Sequence, residues 1–125
     1  MARTKPRPAA SRPRRAPALR IVLTTVPPRR APALARALVE ARAAACVQAV
    51  PGVRSTYRWK GEVRADGETL LLVKTTRGTL PRCLDVLRTS HPYDVPEIVV
   101  VTPSQVARAY DAWAAEETTP ARHKR

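Results

Sequence analysis

Residues 20–45 read RIVLTTVPPRRAPALARALVEARAAA: a β-branched run, a pair of prolines, then an alanine- and leucine-rich segment of helical period. Ile21, Val22 and Leu23 followed by Thr24, Thr25 and Val26 make a short strand of the kind buried on both faces. Pro27 and Pro28 end it and open a helix, because proline fits a first turn whose amides have no partner. Leu34, Leu38, Ala41 and Ala45 then recur on one face, with Arg36, Glu40 and Arg42 on the other. The pattern predicts a helix of about 16 residues, about 24 Å long at 1.5 Å per residue.

Outward from that unit the chain continues as strands and a second helix. A strand runs from Cys46 through Val47, Val50 and Val53 to Tyr57 and Trp59, with a bulge expected at Pro51-Gly52. Lys60 to Gly67 reads as the polar turn of a hairpin, and Thr69 to Thr76 as its return strand. Leu80, Cys83, Leu84 and Leu87 predict a helix capped by Thr79 and stopped by Pro92. Ile98–Val101 is a fourth strand, and Ser104 caps a last helix whose stripe is Val106, Ala109, Tyr110 and Trp113. The order β-α-β-β-α-β plus a helix predicts a ferredoxin-like α/β (α+β) sandwich, an antiparallel sheet with two helices on one face.

The chain of 125 residues accommodates one domain, expected over residues 19–117. The net charge of +13 suggests nucleic acid until the charges are located. Residues 1–18 carry Arg3, Lys5, Arg7, Arg12, Arg14 and Arg15 without an acid, and residues 118–125 add Arg122, Lys124 and Arg125. Between them the folded part holds 14 basic and 10 acidic residues, a mild excess. The proline-rich basic segment 1–18 has too little apolar content to offset its ordering entropy and is expected to be disordered, as is 118–125. Such tails give at most weak, salt-sensitive nucleic-acid binding.

No apolar run reaches the roughly 18 residues of a membrane span, and no apolar segment follows the charged N-terminus as in a signal peptide. With only Cys46 and Cys83, the expectation is reduced thiols and a cytoplasmic location.

Element lengths imply more than one copy. The longer hairpin arm reaches about 45 Å at 3.3 Å per residue, so part of it must project past the helices. That part carries Val53, Tyr57 and Trp59, and a bare strand edge beside them invites pairing with another chain. An oligomer with strands meeting between chains follows; the number of chains does not.

Three segments resemble the CutA family of divalent-cation tolerance proteins. They are Leu38–Val47 (LVEARAAACV) with Pro51-Gly52-Val53, the aromatic hairpin Tyr57-Arg58-Trp59-Lys60-Gly61-Glu62, and above all His91-Pro92-Tyr93-Asp94-Val95-Pro96-Glu97. Leu72-Val73-Lys74-Thr75-Thr76 also fits, so the similarity spans about Ile21 to Trp113. The resemblance implies a homotrimer related in architecture to the PII signalling proteins, with a link to metal tolerance and copper binding.

The family's copper site, as the resemblance implies it, uses a cysteine on the first strand and adjacent histidines before the Pro-Tyr pair. Here those places hold Thr24 and Ser90, leaving His91 alone. Where the family carries acids after the first strand, Pro28, Arg29 and Arg30 stand. His91 and Cys46 are therefore the candidate ligands for copper or another divalent cation, but tight sites need three or four converging donors. The competing reading has His91 ending the second helix and Cys46 acting as a small hydrophobe. Tyr57, Trp59, Lys74, Tyr93 and Glu97 form a second constellation, lining an intersubunit cleft for a small anion or metabolite, or cementing the trimer through a Lys74–Glu97 pair.

Enzymatic readings find no phosphate loop, no Cys-X-X-Cys and no second core histidine. RNA-recognition sheets share the topology but display aromatics on their central strands, where this chain has Ile21–Val26 and Leu70–Val73. The expectation is a trimeric, non-enzymatic metal-homeostasis protein with a degenerate metal site. The alternative is a signalling or interaction trimer with a ligand cleft.

Overall fold

The computed structural model describes residues 16–120. Its elements are β1 (Leu19–Val26), α1 (Ala31–Glu40), β2 (Cys46–Trp59), β3 (Glu62–Thr76), α2 (Leu80–Ser90), β4 (Val99–Val101) and α3 (Arg108–Glu117), with a 3-10 turn at Pro28–Arg30 between β1 and α1. The strands form one sheet in the order β2-β3-β1-β4, each neighbouring pair antiparallel. This is the expected ferredoxin-like α+β arrangement.

Alternation along the central strands divides the side chains between two faces. Val22 and Val26 of β1 and Leu71 and Val73 of β3 meet Leu34 and Leu38 of α1 and Cys83 and Leu87 of α2 in the main core. The opposite face is covered only at one end. There Ala114 of α3 packs on Leu19 and Ala45, with Ile21 and Val106 beside them. Asp111 secures the junction, accepting hydrogen bonds from the backbone N–H groups of Ala18 (3.0 Å) and Leu19 (2.8 Å). Thr118, read from sequence as tail, is buried and joins Thr76 hydroxyl to hydroxyl at 3.2 Å. The basic residues of 1–15 and 121–125 lie outside the described residues.

Several boundaries differ from the sequence reading, each for a physical reason. Helix α1 ends at Glu40 although the alanine periodicity continues to Ala45. Arg42 takes a left-handed conformation (φ 56°), and the N–H groups of Arg42 and Ala43 donate back to the carbonyls of Val39 and Leu38 at 3.0 Å each. This is the Schellman ending, with arginine where glycine is the usual occupant. Strand β3 begins at Glu62, not Thr69, because the hairpin turn is only Lys60-Gly61 (φ 51° and 81°). Two successive positive φ values make the type I′ turn that matches strand twist. The polar run after it pairs with β2 as far as Trp59↔Glu62. Thr79 makes no side-chain cap, its hydroxyl donating instead to the Thr118 carbonyl at 3.4 Å. Helix α3 starts at Arg108 after Ala107 rather than at Ser104, because Val106 is spent on the Leu19–Ala45 cluster. The predicted stripe Tyr110–Trp113 is exposed, its rings 5.5 Å apart.

The bulge falls between Val50 and Val53, where Gly52 takes φ 77°. Strand β1 covers β3 only from Thr69 onward, so residues 53–68 form a two-stranded arm without a third strand. No helix among the described residues is long and apolar enough to cross a membrane.

Candidate functional site

The hairpin arm, the end of β1 and the segment after α2 enclose a cleft of about 780 Å³. Register builds its floor. Ser55, Tyr57 and Trp59 alternate along β2 opposite Asp66, Arg64 and Glu62, so aromatic and charged side chains share one surface of the arm. The Tyr57 hydroxyl donates to the Asp66 carboxylate, two residues along the ladder from its register partner Arg64. That bond, more than anything else, raises the Tyr57 pKa.

The opposite wall is the segment from His91 to Glu97. Pro92 ends α2, and Tyr93 turns back over the sheet to donate its hydroxyl to Oε2 of Glu68 at 2.7 Å. Glu68 is only 7 % exposed. Burial and then the Glu68 carboxylate raise the Tyr93 phenol well above its usual range, so it stays a donor. Asp94 and Glu97 line the same wall, and Arg29 closes the side.

His91 anchors this wall. Its Nε2 lies 3.1 Å from the Thr25 carbonyl and 3.1 Å from the Thr24 hydroxyl. Its Nδ1 accepts the Tyr93 backbone N–H at 3.2 Å. A carbonyl can only accept and an N–H can only donate, so the ring is the neutral Nε2–H tautomer. Burial lowers its pKa, against smaller opposing effects of the Thr25 carbonyl and Glu68. Both nitrogens are thereby committed to the protein, and the ring face packs on Tyr93 at 5.0 Å.

Four of the five residues read as a cleft constellation, Tyr57, Trp59, Tyr93 and Glu97, do meet here. Lys74 does not. It sits six residues along β3 from Glu68, about 20 Å away at 3.3 Å per residue. Its Nζ donates to Gln48 Oε1 at 2.7 Å and lies 5.8 Å from the Tyr110 ring centre. The Lys74–Glu97 pair is therefore not formed within the chain. Asp66 and Glu68 were missed by sequence reasoning because their strand was taken for a turn. The signal was the alternation of Arg64, Asp66 and Glu68 beyond a two-residue turn.

The candidate pair Cys46–His91 also separates. Cys46 pairs with Lys74, and Lys74 with Ile21. That row lies three residues from Thr24, about 10 Å along the strands and about 10 Å across two strand spacings. Thr24 and Cys46 also point to opposite faces of the sheet. Cys46 and Cys83 are both free thiols, and burial pushes the Cys83 thiol up to about 11.

Comparison with known proteins decides the kinship. Residues 20–117 match the family model of the CutA1 divalent ion tolerance protein. The chain belongs to the CutA1 family. It is 50 % identical over 99 residues, 78 % of this chain and 96 % of the relative, to a divalent-cation tolerance protein CutA of Thermus thermophilus. It is 39 % identical over 85 residues to human protein CutA, covering 68 % of this chain and 48 % of that one, so it spans about half of that relative's length. A solved structure of a PII-like protein CutA from Nostoc superposes with a TM-score of 0.77 at 36 % identity, over 80 % of this chain and 97 % of that one.

The copper chemistry implied for CutA proteins does not fit the residues present. His91 has no free lone pair, its neighbours at the implied positions are Thr24 and Ser90, and Cys46 lies across the sheet. Among the described residues no three His, Cys, Asp or Glu side chains cluster as a metal site.

Proposed function

We propose that this CutA1-family chain is a non-enzymatic, cytoplasmic homotrimer whose working site is the cleft beside His91, with His91 serving as its structural anchor rather than as a copper ligand. The observation carrying this reading is the pairing of an open cleft of about 780 Å³ with a histidine whose two nitrogens are engaged. The cleft falls in the size range of small-molecule sites, about 300–1,000 Å³. Its aromatic and charged lining suits a metabolite-sized ligand better than a bare ion.

The trimer is supported by what a single chain leaves uncovered. Val99 and Val101 of β4 lie in register with Leu23 and Ile21, extending one apolar sheet face toward the exposed Tyr110 and Trp113 of α3. A contiguous apolar face of this kind marks an interaction surface. The two-stranded arm, marginal by itself, gains a partner in the same assembly. The cleft at its base then lies beside a neighbouring chain.

The test is calorimetric titration of Cu(II), and of Cu(I) under reducing conditions, into wild type and His91→Ala, with light scattering on the same samples. The expected result is a mass of three chains and copper isotherms that the substitution leaves unchanged. One ion per chain, lost in His91→Ala, would overturn the reading and restore a copper role.

A further inference from the structure

We propose that the cleft takes an organic cation, a small molecule carrying an ammonium group, held by Glu68 against the rings of Tyr57, Trp59 and Tyr93. This deepens the cleft reading above and rests on it.

The first ground is the state of Glu68. As a residue it is more than nine-tenths buried, yet it lines the cleft, and its hydrogen-bond partner is the neutral Tyr93 hydroxyl on Oε2. Among the described residues no Lys, Arg or His lies within salt-bridge distance of it. No buried side-chain nitrogen or oxygen among the described residues lacks a hydrogen-bond partner, so Oε1, which has none, opens to the cleft. A carboxylate so largely withdrawn from water gains most from a cation and further hydrogen bonds, and Oε1 is the atom left to accept them.

The second ground is the balance of the lining. Asp66, Glu68, Asp94 and Glu97 face Arg29 and Arg64, and the Arg64 guanidinium is turned toward Glu62 at 3.5 Å. The excess is negative, which disfavours a small anion, one of the alternatives the sequence leaves open. The third ground is the wall itself. Three aromatic rings border the carboxylates, and ring faces attract ammonium groups, most strongly when these are desolvated. A bare Ca²⁺ or Mg²⁺ needs about six oxygen ligands and would make no use of those rings. Carboxylate and aromatic groups together select a cation that is both charged and apolar.

The experiment reads Trp59 fluorescence in a Trp113→Phe background of the full-length assembly, with affinities checked by calorimetry. The probes are n-butylammonium, tetramethylammonium and spermidine, set against sodium chloride and sodium butyrate. The expected result is saturable binding of the ammonium probes and none of butyrate. Glu68→Gln, which keeps shape and removes charge, should weaken that binding at least tenfold, and Trp59→Ala at least fivefold. Saturation by butyrate alone would leave the cleft as a ligand site and overturn the cation. Saturation by no probe would overturn the cleft reading as well. Glu68→Gln that dissociates the assembly while amine affinity is unchanged would show a neighbouring chain's cation on Glu68, and would also overturn the proposal.

Discussion

Removing one oxygen from Tyr93 tests how the cleft wall is held. In Tyr93→Phe the ring keeps its packing on His91, but Glu68 loses its hydrogen-bond donor at 2.7 Å. Glu68 as a residue is 7 % exposed, so little water reaches the place of the phenol. Hydrogen bonds to charged groups contribute about 1.5–3 kcal/mol net, and a buried acceptor left unmade costs a similar amount. The expected loss is therefore about 2 kcal/mol. Adding Glu68→Leu to Tyr93→Phe removes both polar partners and should recover most of that loss, so a double-mutant cycle should give a coupling of about 1.5–3 kcal/mol. The assay is guanidinium unfolding of the four proteins at one fixed protein concentration, because assembly makes stability concentration-dependent. A loss below about 0.5 kcal/mol in Tyr93→Phe, the range of ordinary surface substitutions, would refute the claim that Glu68 is desolvated and dependent on Tyr93.

Three further outcomes follow from local geometry. The His91 pKa is lowered in the folded chain, so the unfolded state binds the extra proton. Stability should accordingly fall as pH drops through about 6.5, and thermal melts should show a shallower fall in His91→Gln. Cys83, its thiol pushed up to about 11, should carry roughly one-thousandth thiolate at pH 8. It should resist a disulfide reagent in the native protein and react on unfolding. At Arg42, whose φ is 56°, alanine and glycine both remove the bond to the Glu117 carbonyl at 3.1 Å, but only glycine removes the left-handed strain. Chemical denaturation should find Arg42→Gly more stable than Arg42→Ala by about 1 kcal/mol.

The parts of the fold legible in the sequence were those whose burial writes a period. In Ile21–Val26 and Leu70–Val73 the residues Val22, Val26, Leu71 and Val73 are buried and the apolar residues between them half-buried, and this nearly continuous apolar and β-branched character placed the two central strands. Residues 62–67 are exposed to solvent, so no hydrophobic alternation marks them, and only Lys60-Gly61 signals the turn. The end of α1 was masked because alanine is apolar and helix-favouring on either side of Arg42. In the cleft, Tyr57, Trp59, Tyr93 and Glu97 were legible through the motifs that hold them. Which partners they meet depends on register, which assigned Lys74 to Gln48 and gave Glu68 to Tyr93. His91 was recognisable as the one core histidine. Its commitment was not, since Thr25 lies 66 residues away in sequence.

The ring nitrogens of His91 carry the central claim, and nitrogen-15 NMR of the imidazole reads them directly. The account predicts a protonated Nε2 and an unprotonated, hydrogen-bonded Nδ1 at neutral pH, with both resonances unmoved by one equivalent of Cu(I) per chain. A copper-dependent shift or loss of the His91 signals would contradict it, showing a ring that exchanges its protein partners for metal.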